Sequence, residues 1–443
     1  MRIVKLLSDG PSRYDNPNTY YQQGCSPRIL RELIKFIEKH KENIEKIDAA
    51  LYLFNNNKLY ETLHKASAKG KAVRIATIPI EGYDPRYPKD IVDVYTGNKT
   101  AAGQTKRIAA KYVFEKCRLN KNDNFRVYLF PHIYIRSKYV NPFSRGMMPY
   151  SLHIKSIYIK LNDGTNFTVL TSSNLAVRDL CKDEILIIIE NGINERKTCE
   201  TFFENLFASS IPLEEYNEDM NISSYPVKLV EMPQKSKIIF TAPFYDESNC
   251  ITHQKIREII GKAKKRIFIC AQHISAYNIE FSEKFKAGRG EPGFINERGF
   301  LWDVIEKAKN GLDVQLLSQT FIDENGNNHG CRKPANKKSY SQFIQAFIDA
   351  GMKGYCANRN IHAKFIVADD YLIFTSFNYT PTQFIYLGHV NIPEFYHVPD
   401  HSYDGIHSEV GQMITLEDRK NADLLIEYFV AIKKRSDTFI YKE

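Results

Sequence analysis

The stretch NIHAKFIVADDYLIFTSFN, Asn360 to Asn378, sets a histidine and a lysine two residues apart at the head of an otherwise apolar run. Residues alternate across a strand, so His362 and Lys364 share one face with Ile366 and Ala368, while Ala363, Phe365 and Val367 line the other. Beyond the pair, both faces are apolar. The pattern predicts a central strand covered on both sides, with its polar end opening into a pocket.

The same order occurs earlier in the chain. SLHIKSIYIKLNDGTNFTVLTSSNLA, from Ser151, carries His153 and Lys155 at the head of an apolar strand, and Thr171, Ser172 and Asn174 after a second one. Thr375, Ser376 and Asn378 take those places in the later copy. A third element follows each: Glu184 opens EILIIIE and Glu409 opens EVGQMI. The step from His153 to Thr171 is five residues longer than that from His362 to Thr375, which predicts a longer first hairpin around Asn162, Asp163 and Gly164. Glu409 lies beyond a long insertion, about Pro381 to Ile406, which suits a pocket wall or lid.

Around these motifs the chain reads as two halves. IDAALYLFNNNKLYETLHKASAKGKAVRIATIP is strand, amphipathic helix, glycine stop at Gly70, and strand. RIFICAQHI, LWDVIEKAKNG and LDVQLLS repeat that order, with the stop at Gly311. Strands joined through helices predict βαβ units, hence an α/β fold of two tandem halves, each a mostly parallel sheet flanked by helices. Residues 210–237, polar with three prolines, are read as a linker between halves 1–209 and 238–443.

Composition narrows the class. A chain of 443 residues exceeds what one core usually serves, and no uninterrupted apolar run is long enough to span a bilayer. The N-terminal apolar patch is broken by Ser8, Asp9 and Gly10, so it lacks a signal-peptide core, and a cytoplasmic location is expected. Eight scattered cysteines form no CxxC or zinc-finger spacing; they read as reduced core thiols, and neither metal nor cofactor is expected. Lys and Arg number 61 against 52 for Asp and Glu, a net charge of +9 that suits an anionic partner, nucleic acid or anionic lipid.

The duplicated His-x-Lys, each with a downstream asparagine and glutamate, resembles the phospholipase D superfamily, in which two such motifs build one site at the interface of two halves. The first motif is similar in detail to that of tyrosyl-DNA phosphodiesterases, with its longer hairpin and the step Ser173, Asn174, Leu175, so the nearest members are expected among those enzymes or the nucleases. Asp369 follows Lys364 by five residues, as the full superfamily signature asks, whereas the same offset from Lys155 reaches Lys160. The resemblance implies a metal-independent phosphodiesterase working through a phosphohistidine. It assigns attack to His153 and acid catalysis to His362, with Lys155, Lys364, Asn174 and Asn378 holding phosphoryl oxygens. Glu184 and Glu409 would orient the imidazoles, with Asp183 and Asp369 as rivals for that role.

Those residue types match the chemistry, because a phosphodiester needs a nucleophile, a proton for the leaving oxygen and donors for the growing charge. A single strand-end histidine is more often structural; the duplication points to catalysis. Ser172 and Ser376 are candidate substrate contacts or loop stabilisers. His273 and Phe54 to Asn56, at the ends of the first strand of each half, are read as cleft lining. Two basic segments could grip a polyanion, one with Lys99, Lys106, Arg107 and Lys111, the other with Arg332, Lys333, Lys337 and Lys338. The expected substrate is nucleic acid, with phospholipid as the alternative and a catalytically lapsed binding protein as a third reading.

Overall fold

Each half is organised around one sheet. The computed structural model describes residues 1–10, 27–78, 112–130, 152–175, 179, 182–216, 230–231, 235–242, 244–245, 248–275, 299–322, 328–330, 349–356, 361–379 and 410–435. The first sheet holds β1 (Arg2–Asp9), β2 (Ile44–Leu51), β3 (Ala72–Thr77), β4 (Phe125–Leu129), β5 (Lys155–Leu161), β6 (Asn166–Thr171), β7 (Glu184–Glu190) and β8 (Ile211–Pro212). Their spatial order is β1-β7-β6-β5-β2-β3-β4-β8. The second holds β9 (Ile238–Thr241), β10 (Arg266–Ser275), β11 (Asp313–Ile322), β12 (Asn328–Gly330), β14 (Phe365–Ala368), β15 (Tyr371–Thr375) and β16 (Gly411–Glu417), in the order β12-β11-β10-β14-β15-β16-β9; β13 (Lys353–Cys356) pairs with β11.

The expectation of mostly parallel sheets is corrected. Only β2–β3–β4 in the first half and β10–β11–β13 in the second pair in parallel. A helix connects β2 to β3 and another connects β10 to β11, and a parallel pair needs such a crossover. The motif strands β5, β6 and β7, like β14, β15 and β16, pair antiparallel. The first hairpin closes around Gly164, whose φ of +85° suits a residue without Cβ, whereas the second turns in two residues between Ala368 and Tyr371. With the longer strands β5 and β6, the longer turn accounts for the unequal motif spacing.

Among the described helices are α1 (Arg28–His40), α2 (Asn57–Ala66), α3 (Ile193–Ala208), α4 (Ser248–Lys262), α5 (Phe300–Lys309) and α6 (Arg419–Lys434). In α1, Ile29, Leu30, Leu33, Phe36 and Ile37 recur at helical spacing and are buried. In α2, Asn56 caps the first turn by accepting from the N–H groups of Lys58 and Leu59. None of the described helices is long and apolar enough to cross a membrane.

The halves interlock. Phe202 of α3 stacks on Phe240 of β9 with ring centroids 3.9 Å apart. From the opposite end, α6 reaches back to the first half: the Tyr428 hydroxyl donates to the carbonyls of Asp9 and Glu184, and Arg435 pairs with the buried Asp183 at 2.8 Å. The segment read as a linker contains β8, which pairs with β4.

Candidate active site

Two bridges stitch the halves along a pseudo-two-fold axis. Leu152 pairs in parallel with Val410, and Asp183 with Ile361. Each places a motif histidine one residue on, His153 after Leu152 and His362 after Ile361. The backbone N–H groups of His362 and Ala363 both donate to the Asp183 carbonyl, at 3.0 and 2.7 Å. The lysines behave alike in the two copies. Lys155 Nζ donates to the carbonyl of His153 at 3.0 Å, and Lys364 Nζ to that of His362 at 2.6 Å. Both are almost fully buried, at 1% and 0% exposure, so each ammonium is fixed beside its own histidine rather than snorkelling to water.

Between the halves runs one chain of polar contacts. His362 Nδ1 lies 2.8 Å from Glu184 Oε1, although the two residues belong to different halves. The Ser172 hydroxyl donates to Glu184 Oε2 and accepts from the Ile185 N–H at 2.9 Å. Burial pushes the Glu184 carboxyl up to about 8. Burial, followed by the charges of Lys182 and Lys364, holds His362 well below its usual range. The pair therefore titrates as a unit. Below about 8 it carries two protons; wherever the shared one sits along the Nδ1–Oε1 contact, Nε2 keeps its N–H. Above it, the remaining proton stays on Nδ1 facing the carboxylate, and Nε2 presents a lone pair.

The register shows that the duplication is incomplete. Thr171 pairs with Leu186, and its motif equivalent Thr375 pairs with Met413. The Ser172 N–H donates to the Ile185 carbonyl and the Ser376 N–H to that of Gln412, each at 3.0 Å. Ile185 therefore corresponds to Gln412, and Glu184 to Gly411. The expected counterpart, Glu409, stands two residues earlier and lies outside the described residues. Gly411 admits no side chain, because a Cβ there would meet the Phe377 ring at 2.6 Å.

The remaining predicted residues divide by place. Asn378 is buried and its Oδ1 accepts from the His273 N–H at 3.3 Å; Asn174, its twin, is half-buried. Leu175, just after it, takes a left-handed φ of 58°. The serine hydroxyls expected near substrate are engaged within the protein, that of Ser172 with Glu184 and that of Ser376 accepting from the Gln412 N–H at 2.9 Å. Asp369 serves the fold, accepting from the N–H groups of Lys264, Lys265 and Arg266 at the start of β10. Lys160, at the matching offset in the first copy, pairs with Glu45. Phe54 is buried and Asn56 is a helix cap rather than cleft lining. Lys99, Lys106, Arg107, Lys111, Arg332, Lys333, Lys337 and Lys338 lie outside the described residues.

Some contributors carry no motif. Lys182 acts on His362 through its charge, and Asp179 accepts from the Ser173 hydroxyl, bracing the asparagine turn. Both lie in the short segment between Asn174 and Glu184, where an acid and a base so close to two motif residues were the available signal.

Residues 256–391, which include His362, Lys364 and Asn378, match a family model described as "Cardiolipin synthase, PLD-like domain". No curated protein sequence matches the chain. Among solved structures, phosphatidylserine synthase from Haemophilus influenzae Rd KW20 is 10% identical, with 96% of this chain and 92% of that one covered and a TM-score of 0.50. Polyphosphate kinase from Porphyromonas gingivalis is 9% identical with a TM-score of 0.48; 99% of this chain is covered, but it spans only 52% of the kinase. A yeast tyrosyl-DNA phosphodiesterase mutant is 10% identical over 94% of this chain and 91% of that one, with a TM-score of 0.43. At such identities the likeness is one of fold, and with the synthase it extends across both halves.

Proposed function

We propose that this chain, which belongs to the phospholipase D superfamily, is a metal-independent phosphodiesterase that cleaves through a phosphohistidine and takes nucleic acid as its substrate. One observation carries the reading. His362 of one half is held through Nδ1 by Glu184 of the other, so the protonation of its far nitrogen, Nε2, is set by that carboxyl group.

In the proposed reaction His153 Nε2 attacks phosphorus. The N–P bond forms as the ester P–O bond breaks, and the leaving oxygen takes the proton from His362 Nε2. His362 then removes a proton from water; the water oxygen bonds to phosphorus, and the N–P electron pair returns to His153. Lys155, Lys364, Asn174 and Asn378 hold the non-bridging oxygens. The two ammonium groups supply the positive charge that metal ions provide in many phosphodiesterases. Hydrolysis of bis(p-nitrophenyl) phosphate should survive excess EDTA. Activity lost to EDTA and restored by Mg²⁺ or Mn²⁺ would remove the mechanism.

The net charge of +9 and the basic segments around Lys106, Arg107, Lys333 and Lys337 support a polyanionic substrate, cut internally or at an end. Phospholipid is the second reading. It is favoured by the description of the matched family model and by the phosphatidylserine synthase likeness. Parallel incubation with single-stranded DNA, duplex DNA, RNA and phosphatidylcholine vesicles separates the two. Cleavage of vesicles alone, without DNA affinity at moderate salt, would replace the first reading with the second.

A further inference from the structure

The two halves differ at a station that the motifs do not mark. Lys155 of β5 pairs with Leu51 of β2, and carrying the β10–β14 register one residue beyond Cys270–Phe365 sets Lys364 against Ala271. Two residues further along the first strand of each half, Leu53 and His273 therefore correspond. Leu53 is buried, as an apolar side chain at the end of a covered strand should be, but His273 is only half-buried.

His273 is also tied to the motif loop. Its N–H donates to Asn378 Oδ1 at 3.3 Å, its carbonyl accepts from the Tyr379 N–H at 3.1 Å, and Ile274 bridges Tyr379. The amide of Asn378 is thereby oriented by the backbone of a residue whose side chain lies on the sheet face that carries Lys364. Building on the phosphodiesterase reading above, we propose that His273 is a substrate-contact residue whose neutral imidazole hydrogen-bonds the phosphodiester group held between His153 and His362.

The electrostatics agree. Burial, then the charge of Lys364, with His153 acting in the same direction, pushes the His273 imidazole down to about 4. Lys364 and His153 come from different halves, so the ring lies in the field of both motifs. At neutral pH it offers one N–H donor and one lone pair, without a charge. It is therefore suited to orient the diester rather than to donate or abstract a proton in the chemical step.

The test compares His273→Leu, the residue at the twin station, with His273→Gln, which keeps an N–H donor. Steady-state hydrolysis of bis(p-nitrophenyl) phosphate and equilibrium binding of tungstate, a phosphoryl mimic, are measured for both, together with thermal melts. A lost hydrogen bond is worth roughly tenfold in binding. In His273→Leu, KM and the tungstate Kd should rise about tenfold while kcat changes less than threefold, and His273→Gln should recover most of the loss. An active wild type with unchanged KM in His273→Leu would overturn the assignment. So would parallel losses of kcat and melting temperature that His273→Gln does not relieve. A wild type that neither cleaves the diester nor binds tungstate would instead overturn the phosphodiesterase reading, and this inference with it.

Discussion

At His362 the protonation of one nitrogen is governed by a carboxyl group from the other half of the chain. Burial raises Glu184 to about 8, so below that pH the His362–Glu184 pair holds an extra proton and Nε2 is a donor. As pH rises through 8 the donor is lost. With an alkyl phosphodiester, whose leaving oxygen needs a proton, kcat should therefore fall about tenfold per pH unit above 8. With bis(p-nitrophenyl) phosphate under single turnover, the release of the first p-nitrophenol should show no such fall; a fall for both esters would put the proton elsewhere. Glu184→Gln should lower kcat by about 10² to 10⁴ without unfolding the protein, by analogy with a triad carboxylate. Glu409→Gln should cost less than tenfold, since Gly411 stands in register with Glu184 and the matching side-chain space is taken by Phe377. Equal losses in the two variants would show that Glu409 serves His153 from outside the register.

Among the elements, α4 and α5 offer a separate test. His253 of α4 is buried, and its Nε2 accepts from the N–H of Phe300, the first residue of α5 and one of the donors that a helix leaves unpaired. Burial, with the charge of Arg257, pushes its imidazole down to about 4. Protonation removes the acceptor, so folding must exclude a proton that the unfolded chain binds below its ordinary value of 6.5. Stability from this group is complete above 6.5 and declines as pH falls toward 4, by about 2 kcal/mol at pH 5. Urea midpoints at pH 7 and 5 should show that decline in the wild type and a smaller one in His253→Gln. The contact was not legible in the sequence, because it joins two helices and marks no motif. The strands were legible, since runs such as IKSIYIKL and AKFIVADD carry their two-faced burial in composition. The βαβ pattern predicts parallel pairing, whereas the hairpins at Gly164 and Asp369 fold the motif strands back antiparallel. The counterpart of Glu184 is hidden for a different reason: Glu409 and Gly411 are two positions apart in the sequence, and period-two reasoning cannot choose between them.

Across the whole molecule, the site exists only because the halves hold one another in register, and α6 is the clamp. Tyr428 shares its hydroxyl proton between the carbonyls of Asp9 and Glu184, while Arg435 covers Asp183, whose own carbonyl receives the N–H groups of His362 and Ala363. A second-half helix thus touches the first-half residues on either side of the peptide that positions the second-half histidine. Removing Arg435 leaves a buried carboxylate that burial already pushes above its usual range, a loss of about 3 kcal/mol for a pair of this kind, discounted for the partly exposed guanidinium. Arg435→Ala should therefore lower the denaturation midpoint. If the clamp couples the halves, unfolding followed by Trp302 fluorescence in the second half and by far-ultraviolet circular dichroism over the whole chain should coincide in the wild type. In Arg435→Ala the two curves should shift together or separate, and kcat should fall as the Glu184–His362 contact loosens. Halves that are independent would give a different outcome: non-coincident curves already in the wild type, and an Arg435→Ala variant whose kcat is unchanged. That result would mean the 2.8 Å bond between Glu184 and His362 is maintained without α6.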